Sequence, residues 1–262
     1  MVTMVENSER PDMSGAGEQN QPVNVVCLKW GTKYPAEYVN RLYRMVRRHL
    51  HRPFRFFCMT EDGRGLAEGV EVLPLQESGL HGWWYKLSLF QSDFYGLQGD
   101  MIYLDLDVVI VDEIDFLVDQ PGDFLIIGNW SRNPMWNSSV MRFRIGRYAH
   151  IWDGFLADQQ RIMQELNGDQ EWIYACVPEA GNWPADRVLS YKKSLDSKCW
   201  RWAEKLGLGQ LGLKAPDRLD TPLPERAAII IFHGKPDPED VAEHAYGFWK
   251  RASFIQKAWS GR

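Results

Sequence analysis

The sequence has little of what marks a secreted, membrane-spanning or nucleic-acid-binding protein. Its 262 residues include only four cysteines, none in a metal-binding spacing, which indicates reduced core residues of a cytoplasmic protein. No apolar run reaches the roughly 18 residues that a membrane span needs, and residues 1–22 contain no apolar signal-peptide core. The net charge of −5 argues against nucleic acid as a partner and against general binding to anionic membranes. It does not exclude a local, peripheral contact with a membrane. The cysteines are Cys27, Cys58, Cys176 and Cys199.

What the sequence does contain indicates one globular domain. Hydrophobic residues make up 45% of the chain and charged residues 25%, as in ordinary soluble proteins. No change of composition marks a linker, so residues 22–262 are predicted to form a single domain with a substantial core. Residues 1–21 are rich in Ser, Glu, Gly, Gln and Asn and are predicted to be a disordered arm. The oligomeric state is not determined by the sequence.

Hydrophobic periodicity predicts alternating strands and helices. A strand at 23–29, a helix opened by Pro35 and a strand at 54–59 form a β-α-β unit. Such a unit is typical of an α/β, Rossmann-like fold with a mostly parallel central sheet flanked by helices. Further strands are predicted at 70–73, 101–105, 124–128, 137–143, 187–191 and 227–232, an extended segment at 108–111, helices at 82–94, 147–166 and 171–177, and a long loop or lid at 207–224.

Two carboxylates, Asp105 and Asp107, follow a run of apolar and aromatic residues that begins at Met101. The run predicts a strand that is buried on both faces, with the carboxylates at its end. In open α/β sheets, ligands bind outside the carboxyl ends of the strands. Two neighbouring carboxylates repel each other, and a divalent cation with oxygen ligands is the simplest group to lie between them. The alternative is a turn with two solvated aspartates.

Several short motifs, in order, resemble the nucleotide-sugar glycosyltransferases of the GT-A fold, and in particular the glycogenin-like group known as family 8. The central motif is Asp105-Leu106-Asp107, and the resemblance spans about residues 23–240. It implies that Asp105 and Asp107 hold Mn²⁺, or Mg²⁺, together with the diphosphate of the donor. It also implies that His233, at the end of the predicted strand 227–232, completes the metal site.

The same resemblance assigns the donor site and the catalytic pair. Lys86, Asn137 and Ser138 match residues that contact the donor, although Ser139 stands where the family has glycine. Gly234 and Lys235 resemble a late His-Gly-Lys-Pro cluster in which the lysine contacts the diphosphate, but the cluster is compressed here. The loop after the first strand lacks the family's aspartate, which leaves Lys29, Thr32 and Tyr34 as substitutes. Asp169 and Gln170 resemble the pair beside the reacting sugar carbon.

The implied reaction is metal-dependent transfer of a sugar from a nucleotide diphosphate donor, such as a UDP-hexose, to an acceptor hydroxyl. The acceptor would be a carbohydrate or a lipid-linked sugar. Since no residue matches the general base of an inverting enzyme, and Asp169-Gln170 resembles the pair of retaining enzymes, we expect retention of the anomeric configuration.

Other functions and simpler roles fit parts of this pattern. An Asp-x-Asp pair also serves haloacid-dehalogenase-like phosphatases, which carry it on their first strand, and a non-catalytic protein could retain a nucleotide-sugar pocket. Sugar nucleotidyltransferases would need a Gly-rich loop for which residues 30–33 are a poor match. Individually, His233 could be a satisfied core histidine, Asp169 a helix cap, and Lys86 a surface lysine.

Overall fold

The computed structural model describes residues 21–75, 79–128, 130, 135–199 and 214–261. Apart from Gln21, the predicted disordered arm lies outside the described residues, as does the part of the predicted lid before residue 214. The strands are β1 (Val23–Lys29), β2 (Phe54–Thr60), β3 (Val70–Pro74), β4 (Asp100–Leu104), β5 (Val108–Ile110), β6 (Phe124–Gly128), β7 (Trp136–Arg144), β8 (Gly181–Asn182), β9 (Val188–Ser190) and β10 (Ile229–Ile231). The helices are α1 (Ala36–His49), α2 (Phe116–Asp119), α3 (Ala149–Ala157), α4 (Gln159–Glu165), α5 (Asp169–Cys176), α6 (Pro238–Ala242) and α7 (Phe254–Ser260), with a 3₁₀ helix at Gly82–Phe90.

Seven strands form the central sheet, in the order β3-β2-β1-β4-β7-β6-β8. The pairs β3-β2, β2-β1, β1-β4 and β6-β8 are parallel, whereas β7 runs antiparallel to both of its neighbours. All seven residues of β1 are buried, as expected of a strand covered on both faces. One hydrophobic cluster, which includes the buried face of α1, covers one side of the sheet, and a second, which includes the 3₁₀ helix and α3, covers the other. The predicted mostly parallel α/β fold is therefore confirmed.

A smaller sheet, in the order β5-β10-β9, determines what lies beside the two aspartates. β5 does not continue in the central sheet: it pairs antiparallel with β10, with Val108 opposite Ile231, and β10 pairs parallel with β9. Since Val108 directly follows Asp107, this register brings the end of β10 next to the turn that contains the aspartates. The ends of β4, β9 and β10 therefore lie near one another, beside the turn that contains Asp105 and Asp107.

The predicted helices differ from the structure in their boundaries. The segment 82–94 is a 3₁₀ helix that ends at Phe90, and the predicted helix 147–166 is divided into α3 and α4 at Asp158, whose φ is −146°. α5 begins at Asp169, two residues before the predicted start. Hydrophobic periodicity indicates which face of a helix is buried. It does not show where a helix ends or is interrupted, because helix ends are poorly defined by one or two residues. Within the described residues, no helix is long and apolar enough to cross a membrane.

Candidate functional site

A cavity of about 490 Å³ opens at the carboxyl ends of β1 and β4. Its walls come from the loop after β1, the 3₁₀ helix, the turn after β4 and the start of α5. The predicted site residues that line it are Tyr34, Lys86, Asp105, Leu106, Asp107, Asp169 and Gln170. The other predicted site residues lie outside its lining, namely Lys29, Thr32, Asn137, Ser138, His233, Gly234 and Lys235.

At the floor of the cavity, Lys86 forms a buried ion pair with two aspartates. Its ammonium nitrogen lies 3.0 Å from Oδ1 of Asp105 and 3.6 Å from Oδ2 of Asp169. It also donates a hydrogen bond of 3.0 Å to Oγ of Ser138, whose hydroxyl donates one of 2.5 Å to Asp169. Burial alone would lower the pKa of Lys86, but the carboxylates of Asp105 and Asp169 outweigh it, and the pKa is raised. Lys86 is therefore a fixed cation and not a surface lysine, since only 5% of its side chain is exposed.

Asp169 does not act as the cap of α5. The residue that precedes the helix is Gly168, and the Asp169 side chain is turned inward to Ser138 and Lys86. Burial raises the pKa of Asp169, and the nearby Lys86 opposes that rise. Gln170, the next residue, lines the cavity and is half-buried. The first turn of α5 thus places one carboxylate in the buried network and one amide at the cavity wall.

Hydrogen bonds to the backbone of β7 and from side chains hold the turn after β4 in place. The backbone N–H of Asp105 donates to the carbonyl of Ser139 on β7, with a distance of 2.9 Å. The hydroxyl of Tyr103 donates a hydrogen bond of 2.7 Å to Oδ1 of Asp105. Asn137 supports the β7 side, because its Oδ1 accepts the backbone N–H of Ser139 at 3.1 Å. These contacts fix Asp105 before any ligand binds.

Asp107 lies in a different electrostatic environment. Burial and the neighbouring Asp105 raise the pKa of Asp107 to about 7, although Lys33 and Lys86 act in the opposite direction. The hydroxyl of Tyr34 lies 3.3 Å from Oδ2 of Asp107 and donates toward it. Because the second carboxylate is costly to ionise beside the first, a divalent cation would relieve their repulsion. The pair therefore fits a metal ion of the kind that the sequence predicts.

A further carboxylate, Asp237, was not predicted from the sequence. It is 4% exposed, and its Oδ1 lies 3.4 Å from the hydroxyl of Tyr34. It forms ion pairs with Lys33 at 3.6 Å and Lys235 at 3.0 Å, and it makes a capping box with Asp240 at the start of α6. The sequence Asp-Pro-Glu-Asp at 237–240 is a helix-start signal that could have identified it.

The loop that follows β10 is held by a lysine from the loop after β9. The ammonium of Lys192 donates to the backbone carbonyls of His233 at 2.6 Å, Gly234 at 2.8 Å and Lys235. Gly234 has a φ of +63°, a conformation that favours glycine. The Lys235 ammonium donates hydrogen bonds to the carboxylates of Asp240 and Asp237, and these bonds raise its pKa. This loop therefore lies beside the cavity without lining it.

His233 has partners of its own. Its Nε2 lies 2.8 Å from Oγ of Ser190, and its ring stacks on Trp130 with a centroid distance of 5.7 Å. Burial and the nearby Lys192 and Lys193 lower its pKa to about 4, so the imidazole is neutral at pH 7, as a metal ligand must be. Among the described residues, His233, Asp105 and Asp107 do not form a group whose ligand atoms all lie within 4.8 Å of one another. The role of His233 as the third metal ligand stays a prediction.

Lys29 and Thr32, which the sequence offers as donor contacts, lie at the edge of the site. Lys29 ends β1 and is buried, whereas Thr32 is exposed in the loop. Among the described residues, one group of three metal-ligating side chains gathers within 4.8 Å, and it comprises His51, Glu113 and Asp115. None of these three lines the cavity, and exposed acidic groups of this kind are common without a metal.

Two solved structures that resemble this chain in fold are described as glycosyltransferases. The chain matches the apo form of the glycosyltransferase GlyE of Streptococcus pneumoniae TIGR4 with a TM-score of 0.58 and 12% identity, covering 92% of this chain and 62% of GlyE. It matches a galactosyltransferase, LgtC, in complex with donor and acceptor sugar analogues, with a TM-score of 0.57 and 13% identity, covering 90% of this chain and 95% of LgtC. The predicted resemblance to the GT-A fold is confirmed at the level of the fold. No protein-family model and no curated protein matches the sequence.

Proposed function

We propose that this protein is a metal-dependent glycosyltransferase that moves a hexosyl group from a nucleotide diphosphate donor, with UDP as the nucleotide, to a hydroxyl of a carbohydrate or lipid-linked acceptor. The observation that carries the proposal is the grouping of Asp105, Asp107, Lys86 and Asp169 in one cavity at the carboxyl ends of β1 and β4. Four cysteines without disulfide partners support the cytoplasm as its compartment.

Each end of the cavity has its own chemistry. Asp105 and Asp107 would hold Mn²⁺ or Mg²⁺, with His233 as a third ligand. When bound, the cation supplies positive charge to the departing diphosphate. The Leu106 backbone, Tyr34, Lys29 and Thr32 would hold the nucleotide, since the loop after β1 borders this part of the cavity. Gly234 and Lys235 would approach the diphosphate from the loop after β10.

The sugar would lie over the first turn of α5. Lys86 keeps Asp105 and Asp169 in place, and Asn137 and Ser138 support them from β7. We assign Gln170 to the stabilisation of positive charge on the sugar through its side-chain carbonyl, and Asp169 to positioning of hydroxyl groups. Since no residue of the sequence matches the general base of an inverting enzyme, we assign the acceptor's attack to the side of the leaving group, with the departing phosphate taking its proton.

A thermal-shift experiment tests the donor and the metal together. The protein is heated with a panel of UDP- and GDP-sugars, with and without Mn²⁺, because a ligand that binds only the folded state raises the melting temperature. We expect a Mn²⁺-dependent rise with UDP-sugars that is absent in Asp107→Asn. The matched control is Asp112→Asn, an exposed aspartate after β5, which should behave like the wild type. Unchanged metal dependence in Asp107→Asn would refute the site.

Turnover separates this function from its alternatives. Release of UDP from the stabilising donor supports a transferase, whereas binding without release supports a non-catalytic nucleotide-sugar protein. A haloacid-dehalogenase-like phosphatase would hydrolyse p-nitrophenyl phosphate with Mg²⁺ and would not respond to UDP-sugars. Against that alternative, the Asp-x-Asp pair follows the fourth strand, and Oδ1 of Asp105 is already bonded to Tyr103 and Lys86.

A further inference from the structure

The mouth of the cavity carries an exposed indole beside the proposed reaction centre. Trp83, on the 3₁₀ helix, is 54% exposed although it lines the cavity, whereas its neighbour Trp84 is 4% exposed and stacks on Phe155. Burial of large aromatic side chains is favourable, so an aromatic ring that stays in water at a cavity mouth is available to a ligand. Packing in the hydrophobic core therefore does not explain the presence of an indole at position 83.

The backbone of Gly168 makes room for this indole. A Cβ atom on Gly168 would lie 2.9 Å from Nε1 of Trp83 and 3.1 Å from its Cδ1, closer than side chains tolerate. The pyrrole edge of the ring is therefore packed against the residue that precedes Asp169 and Gln170. This contact holds the indole next to the first turn of α5, where the sugar would be transferred.

The charges at this end of the cavity favour a neutral ligand. Besides Asp169, the segment around the start of α5 contributes Asn167, Gly168, Gln170 and Glu171 to the lining, which also includes Met135, and Gly168 is the one that contacts Trp83. None of them is a cation, and Glu171 is a carboxylate that accepts the Asn167 backbone N–H at 2.6 Å and its side-chain amide at 2.9 Å. Both lysines of the lining are paired with carboxylates, Lys86 with Asp105 and Asp169, and Lys33 with Asp237. An anionic acceptor would meet repulsion here, whereas a sugar would find an aromatic face and an amide.

We infer that Trp83 is the stacking platform for a neutral pyranose ring of the acceptor. The inference rests on the proposed function, because the end of the cavity with Asp105 and Asp107 must hold the donor for Trp83 to lie on the acceptor side. The C–H groups on one face of a pyranose are weakly positive and match the negative face of the indole. Asn167 and Gln170 would bind hydroxyl groups at the edge of the ring. The acceptor class is thus a neutral carbohydrate, free or at the end of a longer chain.

Saturation-transfer NMR tests this subsite. The protein is saturated with UDP and Mg²⁺, and the methyl β-glycosides of glucose, galactose and N-acetylglucosamine are added as probes. We expect wild-type protein to transfer saturation to at least one probe, and Trp83→Ala to weaken its binding at least tenfold. Trp83→Phe should retain most of the binding, and Trp83→Leu, which keeps apolar bulk without an aromatic face, should lose it. Tyr246→Ala removes a comparably exposed aromatic residue that does not line the cavity and should have no effect.

The outcomes separate the two proposals. Equal binding by wild type, Trp83→Ala and Trp83→Leu, or no binding of any probe by the wild type, overturns the acceptor subsite. Absence of a UDP-dependent rise in melting temperature in the same wild-type sample instead refutes the proposed function. Once a donor and an acceptor are known, Trp83→Ala should raise the KM of the acceptor at least tenfold and change the KM of the donor less than twofold.

Discussion

The ammonium nitrogen of Lys86 lies 3.0 Å from Oδ1 of Asp105, and 5% of the lysine side chain is exposed. The two residues come from different elements, the 3₁₀ helix and the end of β4. A buried charge is tolerated when it is paired, and removal of one partner leaves the other uncompensated. The pair therefore couples the stability of the fold to the geometry of the site.

Replacement of Lys86 by methionine should destabilise the protein strongly. The variant leaves Asp105 and Asp169 without their common cation, and loss of one partner of a buried pair costs about 3–5 kcal/mol. Urea denaturation at pH 8 measures the free energy of unfolding, and Lys86→Arg, which keeps the charge, is the control. A loss below about 1 kcal/mol in Lys86→Met would show that the ion pair does not stabilise the fold.

Asp107→Asn should stabilise the metal-free protein at alkaline pH. The folded-state pKa of about 7 exceeds the ordinary value of 3.8, so the folded protein retains a proton on Asp107 that the unfolded chain loses. The resulting penalty grows as the pH rises from about 4 to 7 and is complete above 7. One pKa unit corresponds to about 1.4 kcal/mol, and we expect a gain of at least that size at pH 8 and little change at pH 4.

Thermal unfolding of Asp107→Asn, with Asp112→Asn as the control, measures this effect across the pH range. Addition of Mn²⁺ at pH 8 should stabilise the wild type and not Asp107→Asn. A variant that is less stable than the wild type at pH 8 without metal would contradict the assigned repulsion between Asp105 and Asp107.

His233 should reduce stability in acid. Its folded-state pKa of about 4 lies below the ordinary 6.5, so the unfolded chain binds a proton that the folded protein excludes. The free energy of unfolding therefore falls as the pH decreases from about 6.5 to 4. His233→Gln should flatten this part of the profile, and His150→Gln, at an exposed position, should not. Identical slopes for His233→Gln and wild type would show that His233 titrates normally.

Transfer should retain the anomeric configuration, and Gln170 should contribute to the rate. Proton NMR of early product, before mutarotation, shows whether an α-linked donor gives an α-linked product. Gln170→Ala should lower kcat about 10-fold or more, in line with other electrostatic contributions to catalysis. Gln160→Ala, on the exposed face of α4, is the control. A β-linked product from an α-linked donor would exclude the retaining mechanism.

Local sequence patterns were sufficient to locate the strands that are covered on both faces of the sheet. The strand 23–29 is found with the predicted boundaries, and the strand predicted at 101–105 is found at Asp100–Leu104, one residue earlier at each end. Strands covered on both faces need continuous apolar residues, so their limits are visible in the sequence. For the same reason, the position of Asp105 and Asp107 beyond a strand end was predictable.

The partners of the polar side chains were decided by the tertiary structure. The sequence singled out Lys86, Ser138 and Asp169 separately, but only the packing of the 3₁₀ helix, β7 and α5 brings them into one network. Asp237, which was not predicted, lies beside the site because the start of α6 brings its carboxylate within 3.4 Å of the Tyr34 hydroxyl. The Ser190–His233 contact depends on the register that pairs β9 with β10. Periodicity records which side chains leave water, whereas hydrogen bonds between distant elements depend on how the whole chain folds.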